Sequence, residues 1–145
     1  MHLYHLVYFS KRKSITEDEF ASILRTSRRN NDALGITGAL FMSDEYFFQV
    51  LEGPRTALSS LFGLIMNDNR HEDVVLTLFD AVDRRTFGEW SMAELPSQDP
   101  KMQALFEYYA SQTDGPAELS GGAIWDMVEA MADAVMQQGT SQKLM

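Results

Sequence analysis

The chain has 145 residues, of which 45% are hydrophobic and 11% aromatic, no cysteine, and a formal net charge of −9. This length suits one ordinary domain with a core of its own, and the apolar content lies far from the signature of disorder. The lack of cysteine excludes disulfide frameworks and thiolate metal sites and fits a reducing cytoplasm, while the acidic total opposes attraction to a phosphate backbone, so nucleic acid is not an expected partner. The N-terminal MHLYHLVYFSKRK has no basic segment ahead of a long apolar run, and no stretch approaches the roughly 18 apolar residues of a membrane span. A soluble cytoplasmic protein without a membrane partner is expected.

Leu3 to Phe9 is short, apolar and aromatic and runs into the polar Ser10-Lys11-Arg12-Lys13-Ser14, as a strand entering a loop does. Thr16-Glu17-Asp18-Glu19 spells a capping box, and Phe20, Ile23, Leu24 and Ser27 follow at helical spacing. Arg25, Arg28 and Arg29 suit the negative end of that helix, Arg28 and Arg29 with solvent-exposed side chains, and Asn30-Asn31-Asp32 is expected to end it. Gly35 to Met42 and Tyr46 to Leu51 flank Ser43-Asp44-Glu45 as a β-hairpin. Gly53-Pro54 opens a second helix whose buried stripe is Ala57, Leu58, Leu61, Phe62 and Ile65. Val74 to Phe79 reads as a fourth strand and Thr86 to Ala93 as a fifth.

The order βαββαββ predicts an α+β, ferredoxin-like antiparallel sheet with two helices on one face. Its other face needs a cover. Two amphipathic tail helices, marked by Met102, Leu105, Phe106 and Tyr109 and by Ile124, Met127, Val128, Met131 and Val135, are expected to supply it. The division falls between residues 1–96 and a C-terminal helical extension, 97–145, that packs on the sheet or mediates output. In that extension Lys101 and Lys143 are the only basic residues among many acidic ones.

Strand alternation puts Phe47, Gln49 and Leu51 on one face, and Leu6 and Tyr8 on one face of the first strand. If both faces meet the first helix, a phenol and an amide share a core. A buried amide without partners costs roughly 1–3 kcal/mol, so backbone or a ligand must satisfy Gln49, and residue chemistry leaves both open. Asn31 reads equally as ordinary capping chemistry, and Trp90 and Met92 as core or edge filling. GITG has the wrong glycine spacing for a dinucleotide site, His71 lacks companions at ligand spacing, and no nucleophile elbow, phosphate loop or carboxylate pair is present. No enzyme is indicated.

Taken jointly and in order, LYHLVY, RNNDALGITGALFMSDEYFFQVLEG, DNRH and EWSM resemble the BLUF family of blue-light sensors that use FAD, over residues 2 to about 95. The resemblance implies non-covalent FAD binding between the two helices. Tyr8 matches the photochemical tyrosine, Gln49 the switching amide and Asn31 the anchor of the ring's carbonyl edge. Ile23 and Ile65 are placed against the ring, Asp68, Arg70 and His71 along its outer edge and ribityl-phosphate side, and Asn30 where some members hold a stacking histidine. Trp90 and Met92 match the pair through which the signal leaves. An electron and a proton would leave Tyr8 through Gln49, which returns in a changed tautomer or rotamer and reddens the absorption. The tail resembles that of short members without an attached enzyme, which implies a separate effector protein, and exposed edges imply a homo-oligomer. Two alternatives remain: a small ferredoxin-like enzyme acting on acyl phosphates or in flavin redox chemistry, and an interaction module without flavin.

Overall fold

The computed structural model describes residues 2–95, 99–112 and 114–137. Five strands, β1 (Leu3–Arg12), β2 (Thr37–Met42), β3 (Tyr46–Gly53), β4 (His71–Val82) and β5 (Ala93–Leu95), form one sheet in the order β4-β1-β3-β2-β5. The helices are α1 (Glu17–Leu34), α2 (Arg55–Met66), α3 (Pro100–Gln112) and α4 (Gly121–Gln137), with one short 3-10 turn at Pro116–Glu118. The chain is α+β and ferredoxin-like, as its element order predicts. The sheet is not wholly antiparallel, since β5 runs parallel to β2.

Strand alternation builds two cores. Leu6, Tyr8, Leu40, Leu51 and Met92 meet Leu24 of α1 and Leu58 and Leu61 of α2 on one face. On the other, Val7, Phe9, Phe41, Phe48 and Trp90 meet Met102 of α3 and Ile124, Met127, Met131 and Val135 of α4. Each such fully buried side chain contributes about 1.5–3 kcal/mol. The exposed Lys101–Asp133 ion pair between α3 and α4, at 2.9 Å, adds at most about 1 kcal/mol, so apolar burial holds the tail helices on the sheet. The expected boundary between residues 96 and 97 lies outside the described residues.

The capping box forms as spelled. Thr16 Oγ1 accepts from the Glu19 N–H at 3.1 Å, and the Glu19 carboxylate accepts from the Thr16 N–H at 3.0 Å. The far end of α1 corrects the sequence reading, because Asn30-Asn31-Asp32 lies within the helix. Gly35, at φ 70°, terminates it, its N–H bonding to the Asn31 carbonyl. Glycine takes that left-handed conformation without a Cβ penalty. Gly38, the second glycine of GITG, sits where a Cβ would come within 2.1 Å of the Val50 carbonyl oxygen. Both glycines of the motif therefore serve the backbone.

A second correction concerns residues 86–92, expected as a strand. The buried Glu52 carboxylate accepts from the N–H groups of Thr86 at 2.5 Å and Phe87 at 2.8 Å and from the Thr37 hydroxyl at 3.1 Å. Arg85 reaches Thr37 Oγ1 and the Gly35 carbonyl, each at 2.8 Å. Backbone donors that a ladder would use are thus taken by a side chain, and β5 begins only at Ala93.

His5, on the α4 face of β1, is 3% exposed, and its Nε2 has no partner among the described residues. Its ring lies 4.7 Å from that of Trp125 on α4. Burial lowers its pKa from 6.5, only partly opposed by Asp80, its register partner on β4. The unfolded chain therefore takes up the proton more readily, and the stability present above pH 6.5 is lost as pH falls below it. Urea unfolding should show stability falling as pH drops below 6.5, a dependence that His5→Phe should remove.

Candidate functional site

The α1–α2 side of the sheet carries a cleft of about 160 Å³ whose floor is Tyr8, Leu40, Phe47 and Gln49. Its walls are Ile23, Asn30 and Asn31 from α1 and Leu61, Leu64 and Ile65 from α2, and Asp68, Arg70 and His71 follow α2 at its rim. Tyr8 and Gln49 are direct register partners on the antiparallel strands β1 and β3, so alternation turns both to the same face. The Tyr8 hydroxyl donates to Gln49 Oε1 at 2.5 Å. The amide's other end, Nε2, donates to the Met92 thioether at 3.4 Å. The sequence question about Gln49 thus has a partial answer: phenol and thioether occupy one acceptor site and one donor, and the rest of the amide borders the cleft.

Burial raises the Tyr8 pKa far above its ordinary 10.0, and the nearby Asp68 charge pushes the same way, so the phenol stays protonated and is a donor. Asn31 is 1% exposed. Its Nδ2 donates to the Ser91 carbonyl at 2.6 Å, whereas Oδ1 has no partner among the described residues. A buried acceptor left free beside a cleft fits a ligand that brings an N–H. At the rim Arg70 clasps Asp68 with bonds of 2.9 and 2.5 Å, holding the Asp68 carboxyl below its usual range. His71 lies ring-edge to Tyr8 with both nitrogens engaged, Nδ1 with Ser10 Oγ and Nε2 with the Ile65 carbonyl, each at 2.6 Å. Because that carbonyl only accepts, Nε2 carries the hydrogen, and His71 presents ring surface rather than a free nitrogen.

All nine residues singled out by sequence for ligand contact, Tyr8, Ile23, Asn30, Asn31, Gln49, Ile65, Asp68, Arg70 and His71, line this one cleft. Met92 packs with Tyr8 and reaches Gln49, while Trp90 is buried in the core on the opposite face of the sheet. Thr26 and Ser27 also line the cleft, although the sequence marks Ser27 only as part of the helical stripe and Thr26 not at all. Their signal was present in the sequence: with Ile23 and Asn30 they stand at i, i+3, i+4 and i+7, one helix face that is neither wholly apolar nor wholly charged. The half-buried Arg28, expected in solvent, donates through Nε to the Met92 carbonyl at 3.1 Å.

Apolar walls, an amide and a phenol at the floor and a free acceptor at one side suit a flat ring with a polar edge. Among the described residues no group of three or more His, Asp or Glu side chains is placed to hold a metal ion.

Comparison with known proteins gives the same reading. The chain is 38% identical over 88 residues to the photoactivated adenylate cyclase subunit alpha of Euglena gracilis, covering 61% of this chain and 8% of that protein. It is 31% identical over 104 residues to the blue light- and temperature-regulated antirepressor BluF of Escherichia coli, covering 66% of this chain and 26% of the relative. The chain thus spans a minor part of these curated relatives. Among solved structures, BlrB, a BLUF protein in its dark state, superposes with a TM-score of 0.76 at 30% identity, covering 91% of this chain and 96% of that one. The photo-activated state of BlsA gives 0.79 at 28% identity, covering 90% and 94%. The family model "BLUF: Sensors of blue-light using FAD" matches residues 3–93, and with the cleft, its free acceptor and the Tyr8–Gln49 pair in the same segment, the chain belongs to the BLUF family of blue-light sensors that use FAD.

Proposed function

We propose that the cleft is the FAD site, that Tyr8 and Gln49 form its photoactive pair, and that Met92 carries the change toward β5 and the tail helices. The observation that carries this reading is the Tyr8–Gln49–Met92 chain of hydrogen bonds at the cleft floor. Bound FAD supplies the absorption of blue light and the electron-accepting excited state. Tyr8 holds a proton at its hydroxyl in contact with the Gln49 carbonyl oxygen, where it could pass to the amide and come back as the electron it would give to the excited flavin returns. Asn31 Oδ1 would accept an N–H from the ring's polar edge, Ile23 and Ile65 would hold the ring between α1 and α2, and Asn30 and the Asp68–Arg70 clasp would border the outer part of the cofactor. His71 supports Tyr8 by edge contact.

The amide of Gln49 has two arrangements. In the one observed, Oε1 meets Tyr8 and Nε2 meets Met92; a half-turn exchanges the two ends, bringing an N–H to the Tyr8 side of the cleft and the oxygen to the thioether, while a tautomer change leaves the atoms in place and turns Oε1 from acceptor to donor. In the alternative arrangement the amide side of the cleft would offer a donor to a ring carbonyl, and that added bond would redden the absorption. Because Met92 directly precedes β5, loss of its contact biases that short strand and α4, which packs beside it. Residues 97–145 act in this reading as the output extension, and Trp90, rooted in the core under α3 and α4, as the second carrier of the signal. The receiver is a separate effector protein. Self-association through the edge strand β4, where Leu76 and Phe79 are exposed, and a cytoplasmic location belong to the same proposal.

Gln49→Leu should remain yellow and loaded with FAD but lose the light-induced red shift, as Tyr8→Phe should, read by absorbance before and after blue illumination. A normal shift in Gln49→Leu refutes the assignment. Asn31→Ala should weaken FAD retention about tenfold, the cost of one buried hydrogen bond, measured by fluorescence titration of apoprotein.

A further inference from the structure

The half-buried arginine on α1 does more than decorate the helix. Arg28 and Asn31 are three residues apart and share one face of α1. They donate to consecutive carbonyls of the segment entering β5, Asn31 Nδ2 to Ser91 at 2.6 Å and Arg28 Nε to Met92 at 3.1 Å. The first of these side chains also presents a free acceptor to the cleft, and the second fixes the residue whose thioether meets Gln49 Nε2. Arg25 and Arg29, by contrast, are exposed.

The backbone at Met92 has little else to hold it. Residues 86–92 are not a strand, and the ladder to β2 begins with Ala93 opposite Ala39. Upstream, the Glu52 carboxylate fixes the N–H groups of Thr86 and Phe87, and the Trp90 carbonyl accepts from Gly38 at 3.1 Å. Between that anchor and the ladder, the two carbonyls are held by α1 side chains.

We propose that Arg28 is a positioning residue for the light switch: by gripping the Met92 carbonyl it sets the Met92 thioether against Gln49 and so favours the arrangement of the amide present in the dark. This rests on the Gln49 switching reading above. The Nε2···Sδ contact re-forms as Gln49 returns from its alternative arrangement, so a Met92 released from Arg28 offers it less, and the return is slower. Arg28 hydrogen-bonds to neither the phenol nor the amide and acts through Met92.

The test uses the FAD-loaded full chain. Arg28→Met should keep FAD and the red shift while slowing dark recovery about tenfold, the scale of one hydrogen bond from a charged donor. Arg28→Lys, which can donate to the same carbonyl, should recover most of the rate. In a Met92→Leu background, where no thioether remains, Arg28→Met should change recovery by less than about twofold. Recovery of Arg28→Met within about twofold of wild type, or equal slowing in both backgrounds, overturns the proposal. Methyl spectra of methionine-labelled protein in darkness give a second readout, free of photochemistry: Arg28→Met should displace the Met92 methyl signal, and an unmoved signal overturns the proposal. Failure of the Gln49 reading is distinguishable, since it appears as a red shift that survives Gln49→Leu, whatever Arg28 does.

Discussion

A hydrogen bond of 2.5 Å between the Tyr8 hydroxyl and the Gln49 amide oxygen, made inside an apolar cluster, is the contact on which the site depends. Water would compete with it at a surface. Here both residues are at most 5% exposed, and leaving either group unpaired would cost on the order of 1–3 kcal/mol. The pairing follows from register. β1 and β3 are central, adjacent and antiparallel, and Tyr8 stands opposite Gln49, so a slip of one residue in either strand would send one of the two polar groups to the other face of the sheet. The large apolar side chains on both faces, Leu6 and Leu51 on one and Val7, Phe9, Phe48 and Val50 on the other, therefore fix the geometry of the polar pair as much as they stabilise the fold.

The sheet separates two tasks. One face holds the cleft between α1 and α2; the other is closed by α3 and α4, with Phe106 set against Phe9, Phe41 and Phe48. Met92 and Trp90, two residues apart, end up on different faces because the segment that carries them is not a strand. Its path is bent by the Glu52 carboxylate, by Gly38 and by the α1 side chains. A change at Gln49 and a change at the tail helices thus meet along one short piece of backbone at the edge of the sheet.

Much of the fold was legible in order and pattern. The capping box at Thr16 and the proline before α2 each mark where an element begins, and the near-continuous apolar runs of Leu3 to Phe9 and Tyr46 to Leu51 mark strands that are buried on both faces. The errors share a cause. Asparagine and aspartate are common where helices stop, so Asn30-Asn31-Asp32 read as an ending; tertiary partners override that preference, because Asn31 is buried against Ser91 and Gly35 provides the true terminus. Thr86 to Ala93 has the composition of a strand, but a buried carboxylate distant in sequence consumes its first donors, and local pattern cannot show that. Arg28 read as a solvated cation for the same reason, since its acceptor lies 64 residues further along the chain.

The sequence by itself determined the strand and helix order, the side of each strand that Tyr8 and Gln49 share, the absence of thiol chemistry, and through its joined motifs the family. These are properties of local spacing and residue type. Tertiary structure alone decided which partner each polar group takes: that Gln49 spans Tyr8 and Met92, that Asn31 keeps one acceptor free at the cleft, that His71 spends both nitrogens inside the protein, and that Trp90 lies across the sheet from the site. Hydrogen bonds are directional and short in range, so their partners are set only when strands and helices far apart in the chain have been packed together.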